Sequence, residues 1–66
     1  MAFGLLPKAS KFVPRRHGYV GEAFDNPHRA CDWANMNGYY EILCYDKEGK
    51  YLYTLDVQGQ LDEWAD

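Results

Sequence analysis

The chain of 66 residues is poor in the residues that build metal centres and disulfide frameworks. Cysteine occurs twice, as Cys31 and Cys44, and histidine twice, as His17 and His28. His28 and Cys31 fall on one helical face, but there is no second close pair such as Cys-x-x-Cys to complete a structural zinc site. No metal and no other cofactor is therefore expected. Two thiols without a secretory context read as reduced core residues. Long apolar runs are missing as well. No stretch approaches the roughly 20 residues of a membrane span. The apolar run before Pro7 is shorter than the h-region of a signal peptide, about 7–15 residues. A cytoplasmic protein with no membrane partner is the expectation.

Catalytic patterns are also scarce. No nucleophile stands beside a base, and no carboxylate pair is set up to split its pKa values. His28 and Asp32 form an i, i+4 pair, which reads as a helix-surface contact. A ribonuclease-like use of Arg16, His17 and His28 would need a cleft, for which a domain this small has little room. A non-enzymatic role is expected.

Aromatic residues, by contrast, are plentiful: six Tyr, three Phe and two Trp, 17% of the chain. Large rings supply buried area to a thin core and are favoured at contact surfaces. The net charge of −3 hides an asymmetry. Residues 1–30 carry five basic side chains against two acidic ones, and residues 31–66 two against eight.

Residues 1–16 read as a basic, irregular arm, because Pro7 and Pro14 interrupt regular structure. Residues 17–66 read as a single small α+β domain. Within it, His17–Phe24 alternates as a short strand whose two glycines suggest a bulge or a close backbone approach. In "DNPHRACDWANMNG", Asp25 or Asn26 supplies an N-cap, Pro27 suits the first helical position, and Gly38 suits a left-handed C-terminal cap. Ala30, Cys31, Trp33 and Ala34 make the apolar face, with His28, Asp32 and Asn35 opposite. A helix of about ten residues does not hold alone in water and must pack on something.

Its expected support is the hairpin "YYEILCYDKEGKYLYTLDV". A four-residue loop, Asp46–Gly49, pairs Tyr45 with Lys50, Cys44 with Tyr51, Ile42 with Tyr53 and Tyr40 with Leu55. Those last three pairs form a coherent core face, whereas a three-residue loop pairs Ile42 with Thr54 and mixes the faces. The other face then carries Tyr39, Glu41, Leu43 and Tyr45 against Asp56, Thr54, Leu52 and Lys50, with Leu43 directly across from Leu52. The segment after Val57 turns at Gly59 and adds a short edge piece holding Leu61 and Trp64. The expected architecture is one short helix on a small antiparallel sheet, in the order β-α-β-β, preceded by the irregular arm.

An apolar patch rimmed by charge suggests contact. The expected partner-binding residues are the carboxylates Glu41, Asp46, Glu48, Asp56, Asp62 and Glu63 with the anchors Tyr39, Leu43, Tyr45, Leu52 and Trp64. Same-face strand residues repeat at about 6.6 Å, near the separation of successive phosphates, so an acidic protein can occupy a phosphate-binding channel. The function expected is a small acidic inhibitor or nucleic-acid mimic that docks on a basic surface of a nucleic-acid-handling complex. Phages and mobile elements use such products against host defence, CRISPR effectors included. The alternatives are a nucleic-acid-binding module using Lys8, Lys11, Arg15 and Arg16, and an accessory or assembly protein. A homodimer or the "AFGLL" segment covering Leu43 and Leu52 is compatible with the same patch.

Overall fold

The computed structural model describes residues 8–65. The described chain forms β1 (Lys11–Arg16), β2 (Tyr19–Val20), α1 (Pro27–Met36), β3 (Glu41–Tyr45), β4 (Tyr51–Asp56) and α2 (Val57–Trp64). The strands make one antiparallel sheet in the order β2-β1-β3-β4, and the fold is α+β. The placement of the notebook-scale patch "AFGLL" lies outside the described residues.

Strand β1 corrects the expectation of irregular backbone up to residue 16. It lies inside the sheet, with Phe12 opposite Cys44, Pro14 opposite Ile42 and Arg15 opposite Glu41. Pro14 is tolerated because of the direction in which its missing N–H would point. Phe12 exchanges both of its backbone bonds with Phe24, so the backbone of Pro14, two residues on, faces the same flank. There the Pro14 carbonyl accepts from Gly21 N–H, and the segment opposite is no longer regular strand. No ladder bond is lost. The turn joining β1 to β2 is His17-Gly18, with φ of 48° and 88°, both in the left-handed region that a two-residue hairpin turn of this hand requires.

The expected strand His17–Phe24 shrinks to Tyr19–Val20 plus an isolated bridge from Phe24 to Phe12. Its glycine does have the close approach anticipated: a Cβ on Gly21 would stand 2.6 Å from the Trp33 ring.

Helix α1 starts and stops where the sequence says. The Asn26 side chain accepts from the N–H groups of His28 and Arg29, and Pro27 opens the helix. Past the C-cap Asn37, Gly38 takes φ 77°, and Tyr39 N–H returns to the Ala34 carbonyl at 2.8 Å. Those bonds satisfy backbone groups that a helix end leaves open.

The β3–β4 hairpin departs from the expected register by two residues. Asp46 pairs with Lys50 through a backbone bond of 2.9 Å, so the loop is the three residues Lys47-Glu48-Gly49. The Asp46 carboxylate accepts from the N–H groups of Glu48 and Lys50, and Gly49 provides φ 85°. On its own that loop would mix the faces. A bulge resolves the conflict: Tyr45 pairs with Tyr51 and Cys44 with Tyr53, leaving Leu52 over. Beyond it, Ile42 meets Leu55, Leu43 meets Thr54 and Glu41 meets Asp56. Leu43 is therefore not opposite Leu52. Tyr51 also leaves the expected core face and is 52% exposed, while Tyr40 is 40% exposed at the end of the sheet.

The segment expected to turn at Gly59 is instead α2. Asp56 caps it, accepting from Gly59 N–H at 2.8 Å, so Gly59 lies in the first helical turn. The core gathers Phe12, Ala30, Cys31, Ala34, Ile42, Cys44 and Val57 between the helices and one face of the sheet. No described helix is long and apolar enough to cross a membrane.

Candidate interaction surface

Alternation along the strands gives the sheet a second face, turned away from both helices. It carries Val13 from β1, Leu43 and Tyr45 from β3, and Thr54 from β4, none of which belongs to the core cluster. Tyr51 joins them across from Tyr45; the two rings meet edge to face with centroids 6.0 Å apart. The Tyr51 hydroxyl lies 2.8 Å from Thr54 Oγ1, which ties the ring down along the strand. Lys11 Nζ stands 5.6 Å from the Tyr45 ring centroid. Val13, Leu43, Tyr45 and Leu52 are all half-buried, and no described helix lies over this face.

One edge of the patch is closed by an ion pair. Arg15 Nη2 and Nε donate to the same oxygen of Glu41 at 2.6 and 3.0 Å across β1 and β3. That hydrogen bond, and then the carboxylate charge itself, raises the Arg15 pKa. Both residues were expected at contact surfaces, Glu41 in the acidic set and Arg15 in the basic one. Here each meets the other.

The remaining expected residues divide by place. Asp46 and Asp56 use carboxylate oxygens inside the fold, one on the turn and one on the start of α2. Glu48 is exposed at the hairpin tip, and Asp62 and Glu63 are exposed on α2, where Glu63 accepts from Gln60. Tyr39 is not on the open face: it packs against the core with its ring centroid 5.0 Å from that of Trp33. Trp64 also belongs to the helical side, stacked on His28 and packed on the core cluster. Lys8 is exposed ahead of β1, Lys11 lies over Tyr45, and the Arg16 guanidinium stands 5.7 Å from the Tyr39 ring. The basic residues from 11 to 16 are thus strand residues, each with a neighbour, not a loose arm.

Tyr51 and Val13 are the members of the open face that sequence reasoning missed. The signal for Val13 was hidden by Pro14, and that for Tyr51 by the bulge at Leu52. His17 was a catalytic candidate; its Nδ1 lies 3.3 Å from the Tyr40 hydroxyl, which also accepts from His17 N–H. His28 is engaged with Trp64, far along α1 from any nucleophile pair. Cys31 and Cys44 are buried free thiols, each pushed up to about 11 chiefly by burial. Among the described residues, no group of three or more His, Cys, Asp or Glu side chains is placed to hold a metal ion.

No protein-family model matches this chain, and neither a curated protein nor a solved structure does so.

Proposed function

We propose that this is a small acidic, non-enzymatic binding protein that docks through the open face of its sheet on a protein partner with a basic surface. The observation that supports this reading is the face itself: Val13, Leu43, Tyr45 and Tyr51 form an apolar and aromatic patch on the side away from both helices. Ordered tyrosines are economical anchors, since a ring held by its neighbours loses little freedom on binding. The net charge of −3, with Glu48, Asp62 and Glu63 exposed, favours a basic partner, which points to nucleic-acid-handling machinery as the class. Inhibition by occupancy, of the kind that phages and mobile elements direct at host defence, is the role that fits. The phosphate-mimic version is weaker than the sequence suggests, because Glu41, Asp46 and Asp56 are committed within the fold. The module that binds nucleic acid directly is weaker still, as Arg15 is neutralised by Glu41.

The test is capture from a lysate at about 0.15 M salt, with and without nuclease, using the wild-type chain and Leu43→Glu. A partner retained after nuclease and lost with Leu43→Glu supports the proposal. Capture that vanishes on nuclease treatment, or that Leu43→Glu leaves unchanged, overturns it.

A further inference from the structure

Strand β4 is the outer strand of the sheet on one side, and among the described residues nothing but β3 pairs with it. The bond from Val57 N–H to the Tyr40 carbonyl sets the phase of the β3–β4 ladder. By alternation it turns the backbone of Leu55 toward β3 and that of Thr54 outward. From Tyr51 to Leu55 the strand holds no charge and no proline, so the devices that usually protect an edge are absent apart from the bulge at Leu52.

The charges sit at the two ends. Lys50 and Asp56 are placed symmetrically, three residues to either side of Tyr53. Asp56 also has an unresolved electrostatic neighbour. Across the sheet the row runs Arg15, Glu41, Asp56, with Arg15 paired to Glu41 and Asp56 directly opposite Glu41. Like charges placed across a strand pair are unfavourable. A cation on the outer side of Asp56 would complete the row.

We infer that a second copy of this chain supplies it: two β4 strands pair antiparallel about a two-fold axis at Tyr53, placing Lys50 of each copy against Asp56 of the other. The same operation sets Leu52 opposite Thr54 and continues the sheet across the axis. It brings the open faces of the two copies side by side. An isologous contact of this type uses one surface twice, so the Lys50–Asp56 match occurs at both ends of the seam. The inference stands on the edge strand and its charges and does not depend on the proposed partner.

Sedimentation equilibrium on the full chain, at concentrations up to about 1 mM, tests it. The wild type and Lys50→Arg are expected to give the mass of two chains at the upper end. Lys50→Glu is expected to raise the dissociation constant by about 100-fold, because each reversal acts at both symmetric ends. Its circular dichroism should be unchanged, since Lys50 is exposed. In the wild type, the Thr54 amide should exchange more slowly as concentration rises. A single-chain mass throughout, a dimer untouched by Lys50→Glu, or Thr54 exchange independent of concentration would each overturn the inference.

Discussion

Trp64 lies flat on His28, with ring centroids 3.9 Å apart and 22° between the planes. The contact joins the last turn of α2 to the first turn of α1, and a second tie, Gln58 donating to Asn35 at 2.9 Å, joins the other ends. An eight-residue helix has little stability of its own, so α2 is held by packing. Trp64→Ala is expected to destabilise the fold by about 2–3 kcal/mol, below the full core value because the ring is only half-buried. His28→Ala should cost less than about 1 kcal/mol, as it removes one stacking partner and leaves the indole packed on the core. Urea unfolding of the two variants checks the order.

Gly21 is required for space, and Gly49 for backbone angle. A Cβ at Gly21 would meet Trp33 carbons at 2.6 and 2.8 Å, and Trp33 is wedged between Phe24 and Tyr39. Gly21→Ala is expected to cost about 1–3 kcal/mol through displacement of that ring, with a change in tryptophan fluorescence. At Gly49 a Cβ would meet nothing within 4 Å, but φ is 85°. Gly49→Ala should cost about 1 kcal/mol, with the fluorescence unchanged. Equal fluorescence changes in the two variants would contradict the assignment.

The two helix starts differ in what replaces them. Asn26 offers one oxygen to two N–H groups, at 2.8 and 3.2 Å, and its loss in Asn26→Ala should cost about 1 kcal/mol. Asp56→Asn keeps an accepting side chain for Gly59 N–H and removes the charge opposite Glu41. It is expected to be neutral or slightly stabilising in the monomer, by up to about 0.5 kcal/mol. Thermal unfolding at low concentration distinguishes the pair of outcomes.

Local signals were legible and long-range ones were not. The start and end of α1 follow from Asn26, Pro27 and Gly38, each of which satisfies a nearby backbone requirement. The face assignment of Ile42, Cys44, Tyr53 and Leu55 also survives, because a shift of two residues preserves alternation. The register itself did not, since a turn held by the Asp46 carboxylate and a compensating bulge at Leu52 look, in sequence, like a simpler loop. Pro14 concealed β1 because its harmlessness depends on which flank of the strand it faces, and that is set by Phe24 and Gly21. Gly59 concealed α2 because the Asp56 cap that fixes it reads equally as the end of a strand. For the candidate surface, Leu43 and Tyr45 were legible, whereas Tyr39 and Trp64 went to the helical side once α2 was in place.

The buried thiols give the fold an alkaline limit. Cys31 and Cys44 rise from an ordinary 9.0 to about 11, first because burial disfavours the thiolate, and then because Asp32 lies near Cys31 and the two thiols near each other. Tyr53, above Cys44, is raised in the same direction by burial. A group whose native pKa is raised holds its proton longer in the folded chain than in the unfolded one. Between pH 9 and about 11 the native state therefore binds more protons, and stability falls as pH rises. Urea midpoints should be flat with respect to these thiols below pH 9 and should decline through that window. In a Cys31→Ala, Cys44→Ala variant, which starts less stable because of the lost packing, the decline should be shallower and begin later, leaving the part due to Tyr53. Native-state labelling by a thiol reagent at pH 8 should likewise be slow and should accelerate with urea, since the thiolate forms readily only when the core opens. An equal alkaline decline in the double variant would remove the thiols as its cause.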